Sequence, residues 1–394
     1  MLPLENIKIL DLSRLAAGNM VSHMFADFGA DVVKVEKPGK GDDLRNWKIN
    51  GISHWWAVYS RNKRSISIDL KKDEGLALLK ELVKSADVFI ENFVPGTLEK
   101  WGIGPEQLNE LNKKLIILRI SGWGQTGIFK NAPGFGSLVE GMSGFAAMTG
   151  EEKQAPLLPP LALADMVAGL TGFGAILMAI LASKKNSTGG QVIDLSLFEP
   201  FFSILGPWAA SYKISGKVPE RIGNRSNVAA PRGIYKTKDN KYVSLSASMQ
   251  SMWEKLALTI GSSDLIKDPR FLTNSDRLNN QDDLDKPISK FIKKYSREEV
   301  LNIFSKEGIT VGPVLDISEI IEHPYIQDRE VLIDHFNKEY GNVLMHQAFP
   351  RLSKTPGKIR RSAPSLGGNT DEVLKEIGIS EKQIQMLRKN KIIN

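Results

Sequence analysis

The stretch Ile7–Gly39 reads IKILDLSRLAAGNMVSHMFADFGADVVKVEKPG. Its opening, Ile7–Ser13, is apolar and β-branched, as a strand requires. Met20–Ala30 then places apolar residues at helical spacing and runs to Gly29, a C-cap residue. Asp31–Gly39 reads as a second strand. Strand, helix and strand in so short a run form the unit from which parallel sheets are built.

The alternation continues outward. Arg64–Lys71 alternates at period two, as a half-buried strand should, and Glu74–Ala86 is an amphipathic helix. Asp87–Phe93 and Leu115–Gly124 are further apolar strands. Pro159–Ala182 reads as a buried core helix, and GGQVIDLSLFEPFFSIL after it as a strand and a helix. These elements predict an α/β fold with a doubly wound parallel sheet. The predicted domains are a large one from 1–200 and 330–394, a linker at 201–224 and a smaller α+β domain at 225–329. In the smaller domain GIYKTKDNKYVSLSA reads as a hairpin around Asp239-Asn240, and VLDI as a strand. The tail after Pro364 is predicted to end in an amphipathic helix with Asn369 or Thr370 at its N-cap.

The chain has 394 residues, 42% hydrophobic and 25% charged, an ordinary soluble composition. Its net charge of +7 is modest for that length, and no basic run interleaved with aromatics predicts a nucleic-acid groove. Cysteine is absent, which excludes disulfides, zinc-thiolate sites and a cysteine nucleophile. The N-terminus is no signal peptide, and the chain is expected in the cytoplasm, away from membranes. The apolar run Leu161–Ala182 has near-membrane length but carries Asp165 and three glycines. Of the five histidines, His23 reads as a packed or surface residue and His54 lies beside Trp55 and Trp56. His323, His335 and His346 read as surface residues, and none has metal-ligand spacing.

In a doubly wound sheet, ligands sit at the carboxyl ends of strands. The segments predicted there are SRLAAGN, EKPGKGD, ENFVPG and SGWGQTG, all with small residues that let a ligand approach the backbone. GWGQTG matches a dinucleotide fingerprint, but the proline and glycine that follow argue against the helix such a site needs. There is no phosphate-binding GxxxxGK[ST] and no hydrolase elbow.

Asp165 in LALADMVAGL stands among apolar residues at a predicted helix start. Two readings are open. It can be an N-cap, accepting backbone N–H bonds at the positive end of the helix. It can also be a nucleophile, ionised yet poorly hydrated.

Taken together, ILDLSRLAAGNM, FGADVVKVEKPGKGDDLR, NKRSISIDLKKDEG, ADVFIENFVPGTLEKWG, PGFGSLVEGMSG and ADMVAG resemble the class III CoA-transferase family. That family includes formyl-CoA and carnitine CoA-transferases and is related to α-methylacyl-CoA racemase. The resemblance implies a Rossmann-like large domain built from both chain ends and an interlocked homodimer. It implies coenzyme A and acyl-CoA as substrates, with no tightly bound cofactor and no metal. The second substrate is a carboxylic acid. It assigns the nucleophile to Asp165 and CoA contacts to Leu15, Ala16, Ala17, Lys37, Ile68, Lys71, Asn92, Phe93, Thr97 and Lys100. The implied activity moves CoA from an acyl-CoA to the acid through an aspartyl-acyl anhydride and an aspartyl-CoA thioester. A 2-methylacyl-CoA racemase is the alternative. Phe135-Gly136 stand where racemases carry His-Asp, and neither can move a proton. A CoA-binding protein without catalysis is the third possibility, and the formyl-CoA enzymes' glycine-rich flap has no counterpart here.

Overall fold

The computed structural model describes residues 1–394. The chain divides into two compact units, one of residues 1–143, 159–206 and 327–394, the other of residues 144–158 and 207–326.

The first unit is built on a six-stranded parallel sheet. In chain order its strands are β1 (Lys8–Asp11), β2 (Asp31–Glu36), β3 (Arg64–Ser67), β4 (Val88–Glu91), β5 (Ile116–Ser121) and β6 (Val192–Ser196). Their spatial order is β3-β2-β1-β4-β5-β6, so the winding reverses between β1 and β4. Successive residues of a strand face opposite sides. Leu10, Val33, Phe89 and Ile117 join one core with Leu78, Leu79 and Leu82 of the helix Asp73–Val83 and with Val373, Leu374 and Ile384 near the C-terminus. On the other side, Leu118 and Leu195 face the long helix Leu163–Asn186. Both faces are thus covered, and the central strands are correspondingly rich in buried Ile, Leu, Val and Phe.

Strand β3 is buried along its whole length, not half-buried as its alternation predicts. It is an edge strand, but the C-terminal segment closes that edge. Asn369 N–H donates to Ser65 O at 2.8 Å, Ser67 N–H to Thr370 Oγ1 at 3.1 Å, and Asp69 N–H to Ile392 O at 2.8 Å. Arg64 adds bonds to Asp31, Glu372 and Glu376. Unpaired edge groups are satisfied this way without a further strand. The tail itself is two helices, Thr370–Glu376 and Glu381–Lys389, separated at left-handed Gly378 and restarted by a Ser380–Gln383 capping box. Asn369 holds the N-cap position of the first, as expected, but its side chain makes no capping bond.

The long helix is buried only along a stripe of small residues: Ala164, Ala168, Gly169, Gly172, Ile176 and Ala179. The expected fully buried helix is therefore half exposed, and Leu170, Met178 and Leu181 face outward. By length and composition alone it could cross a membrane. The stripe has a specific cause. A Cβ on Gly169 would lie 2.6 Å from Met20 Cβ, so glycine is required for this helix to meet the first one, Leu15–Asp27.

The second unit holds an antiparallel sheet of β7 (Arg232–Lys236), β8 (Tyr242–Ser246) and β9 (Val311–Pro313). The hairpin turns at Asn240, whose φ of 62° suits asparagine. Its core gathers Trp253, Phe271, Leu284, Ile288 and Phe304. The third strand precedes VLDI, because Asp316 caps the helix Ile317–Ile321 and ends extended backbone there. Residues 144–158 lie with this unit, not with the large domain. Gly223 N–H bonds Gly150 O, and Arg221 reaches the carbonyls of Ala147, Glu151 and Glu152. Of the expected linker, 201–206 stays with the first unit and 207–224 falls in the second, including the helix Trp208–Ser215.

The hairpin β10 (Leu332–Asn337) and β11 (Gly341–His346) belongs to the first unit. His346 at its end is half-buried against His23, not a surface residue. His23 is fully buried, and neither ring nitrogen has a hydrogen-bond partner. Burial first, then Arg61, His346 and Lys63, push it down to about 3 against the pull of Asp27. A base depressed in the fold binds its proton more readily when unfolded. Its neutral form is therefore compatible with the fold above the unfolded value of 6.5, and stability falls as pH drops from there towards 3. The contribution is up to about 5 kcal/mol. Urea denaturation from pH 7 to 4 should show His23→Leu losing less stability than the unaltered chain. Parallel curves would exclude this role.

Candidate active site

The turns after β1, β2, β3 and β4 converge on the carboxyl side of the sheet, at the reversal between β1 and β4. Such a reversal leaves a crevice for ligand. One cavity of about 360 Å³ is walled by Leu12, Val35, Ile68, Phe93 and Trp101, with Arg14, Lys37, Lys40 and Lys71 among its charged lining. A second, of about 510 Å³, is lined by Leu15, Ala17, Asn92, Trp123, Phe135 and Asp165. The two share Arg14, Asp43, Phe93 and Val94, so they form one cleft. A long ligand can lie across it with an anionic part at the lysines and a reacting end at Asp165.

Asp165 is the third residue of its helix, not the cap. Ala162 holds the N-cap position without a side-chain bond. The acceptor comes from another helix, Gly136–Met142: Glu140 Oε1 takes the Ala164 N–H at 3.1 Å. Glu140 is buried, and it performs the capping that local sequence assigns to Asp165. The Asp165 carboxylate is left to the cleft. Desolvation, then the charge of Glu140, raises it to about 6, while the N–H groups of Ala17 and of Asp165 itself oppose the rise. Gly136 borders it closely. A Cβ there would lie 2.5 Å from Asp165 Oδ2.

A consequence follows for Glu140→Gln. The amide oxygen can still accept the Ala164 N–H, but the charge is gone. The Asp165 carboxyl then ionises at lower pH, and the acid limb of activity moves down with it. At pH 5 the rate should rise roughly two- to fivefold relative to each protein's plateau. An acid limb that stays in place would rule out electrostatic coupling between the two carboxyls.

A network of buried charges fixes the floor of the cleft. Asp11, at the end of β1, accepts from Ser13 N–H at 2.9 Å and from the Ser13 and Ser22 hydroxyls. Lys34 Nζ lies 3.2 Å from Asp11 and 2.9 Å from Asp42, and also donates to Ser13 O. Lys63 Nζ donates to Asn19 Oδ1 at 2.9 Å, and burial brings this amine down to about 7. Burial alone raises Asp11 and Asp42, but Lys34, joined by Lys63 and the Ser13 and Ser22 hydroxyls at Asp11 and by the Leu44 and Leu15 N–H groups at Asp42, holds both below the ordinary carboxylate range.

The residues expected at the site are placed as follows. Lys37, Ile68, Lys71, Phe93 and Thr97 line the first cavity; Leu15, Ala17, Asn92, Phe93 and Asp165 line the second. Ala16 is buried and Lys100 is exposed, and neither lines the cleft. The Asn92 side chain is committed to Arg14, accepting its N–H at 2.8 Å and donating to its carbonyl at 2.7 Å. Sequence reasoning passed over Arg14, Lys40, Lys130, the Asp11–Lys34–Asp42 network and Glu140. Only Glu140 left a signal: it falls one helical turn after Gly136, on the same face.

Residues 4–370 match the sequence profile of CoA-transferase family III. The chain belongs to CoA-transferase family III. A succinyl-CoA–D-citramalate CoA-transferase of Chloroflexus aurantiacus is 35% identical over 99% of this chain and 98% of its own. A succinate–glutarate CoA-transferase of Agrobacterium fabrum is 34% identical over 96% and 97%. The crystal structure of a CAIB/BAIF family protein from Brucella suis superposes with a TM-score of 0.84 at 32% identity, covering 95% of this chain and 99% of that one. This family III protein is thus an enzyme with CoA-transferase activity, and CoA thioesters are its substrates.

Proposed function

We propose that the enzyme moves CoA between carboxylic acids with Asp165 as the acyl-accepting nucleophile. The observation that carries this is a poorly solvated carboxylate opening on a cleft shared with a lysine-lined cavity. Asp165 attacks the thioester carbonyl of the donor. The C–S bond breaks, giving a mixed aspartyl-acyl anhydride and CoA thiolate. The thiolate attacks the aspartyl carbon, releasing the donor acid and leaving an aspartyl-CoA thioester. The acceptor carboxylate attacks that thioester, CoA leaves, and CoA then attacks the acceptor's acyl carbon to free Asp165. One thioester replaces another, so the exchange is near balance. Its intermediates need shielding from water.

The named relatives pair succinate or succinyl-CoA with citramalate or glutarate. Succinyl-CoA as donor and a dicarboxylic acid as acceptor are the proposed substrates. Arg14 and Lys130 on the Asp165 cavity suit a second carboxylate. Leu15, Ala17, Lys37, Ile68, Lys71, Asn92, Phe93 and Thr97, which line the cleft, are the proposed CoA contacts, on a Rossmann-like large domain; Ala16 and Lys100 stand outside the cleft. An interlocked homodimer is proposed as well. Met178 and Leu181 on the long helix, and a helix Trp208–Ser215 with no buried residue, support a second copy.

The test is trapping. The enzyme is incubated with succinyl-CoA, quenched with hydroxylamine and mapped by mass spectrometry. Modification at Asp165 is expected. No modification there with any of a panel of acyl-CoAs defeats the mechanism. Deuterium exchange at the α-carbon of a 2-methylacyl-CoA without acyl exchange would mark a racemase instead.

A further inference from the structure

Leu15 has a left-handed backbone, φ 62°. It is the only aliphatic residue among the non-glycine residues with positive φ. Such a conformation is strained for a residue with a Cβ, and it persists only when the surroundings impose it. Leucine has no polar side-chain atom to offset the strain. The surroundings do so from both sides of the residue. Asp42 Oδ1 accepts the Leu15 N–H at 2.9 Å. Asn19 Nδ2 donates to the Leu15 carbonyl at 2.7 Å and to Asp42 Oδ2 at 2.7 Å. Lys34 holds Asp42, and Lys63 holds Asn19. Asp42 and Asn19 are themselves buried. Two residues after Leu15 comes Ala17, which lines the same cavity as Asp165 and whose N–H favours the charged form of that carboxyl.

We propose that Asp42 and Asn19 are positioning residues: by bonding the N–H and the carbonyl of Leu15, they hold its left-handed backbone and aim the Ala17 N–H at Asp165. The strain at Leu15 is then the means by which a turn after β1 reaches a carboxylate on another helix. The proposal rests on reading Asp165 as the nucleophile, since only then does the aim of Ala17 bear on rate.

Three variants test it: Leu15→Val, Asp42→Asn, and Asp42→Asn combined with Leu15→Gly. Valine is β-branched and resists left-handed backbone, while glycine adopts it freely. Amide hydrogen exchange over residues 12–20 is measured without substrate, and labelling of Asp165 by succinyl-CoA is measured across pH. Leu15→Val and Asp42→Asn should each lose protection at residues 15–17 and label about tenfold more slowly. Their acid limb should move to higher pH, because an N–H bond to the carboxylate is lost. Adding Leu15→Gly to Asp42→Asn should recover most of the rate. A role for Asp42 in stability alone predicts no recovery, and that result overturns the proposal. So does wild-type protection in Asp42→Asn. If Asp42→Asn does not fold, Leu15→Val decides, since it leaves every charged group in place. If Asp165 labels in no protein, the nucleophile reading fails, and exchange at residues 15–17 alone decides the positioning.

Discussion

Asp165→Asn should lower kcat by about a thousandfold or more and at the same time make the protein more stable. The loss follows from removing a nucleophile that no neighbour replaces, as an amide cannot form the anhydride. The gain follows from the same burial. The Asp165 carboxyl ionises near 6 in the fold, above its ordinary 3.8. A carboxyl raised by folding favours the fold below 3.8, and that preference is lost as pH rises through 6. At pH 7 the charged group therefore costs up to about 3 kcal/mol, which asparagine does not incur. In the unaltered enzyme kcat/KM should rise with pH up to about 6 and then level, because the ionised form attacks. Steady-state rates and thermal melts of both proteins check the pair of claims. An Asp165→Asn protein that turns over normally, or that melts well below the parent, contradicts them.

Lys34→Met should destabilise the protein by roughly 3–5 kcal/mol. Lys34 is fully buried between Asp11 and Asp42, and it is the charge that keeps Asp42 ionised. Taking it away leaves a buried carboxylate without its cation, which is far costlier than never having had the pair. The sign with pH is opposite to that at Asp165. Asp11 and Asp42 are depressed in the fold, so their contribution is present above about 3.8 and is lost as pH falls through their lower folded values. Lys34→Met should remove that contribution. Adding Asp11→Asn and Asp42→Asn should return part of the stability, because the uncompensated charges are then gone. Urea denaturation at pH 7 reads both steps. A single variant as stable as the parent would show that Lys34 has no such role.

Leu15 shows why some of the site is not legible in the chain. Nothing in SRLAAGN indicates a left-handed leucine, since leucine is a poor choice for that backbone. The conformation is imposed by Asp42 and Asn19, and Asp42 comes 27 residues later. Glu140 is the same case. Its cap on Ala164 spans 24 residues and two helices, so no local pattern marks it, and the local pattern instead points to Asp165 as the cap. Asn92 illustrates the reverse. Its place beside the cleft was legible, but its amide is spent on the Arg14 backbone.

What the amino-acid sequence determined by itself was the architecture and the sheet edge on which the candidate cleft lies. Alternating apolar strands and helices specify a parallel sheet, because hydrophobic period is a local property of consecutive residues. Small residues after β1, β2, β4 and β5 mark its ligand side for the same reason. Tertiary structure alone decided the surroundings of Asp165. Whether that carboxylate caps a helix or faces a cleft depends on where Glu140, Ala17 and Gly136 stand in space. Its ionisation depends on the water and charge around it, and those are set by groups distant in sequence that only folding brings within a few ångströms.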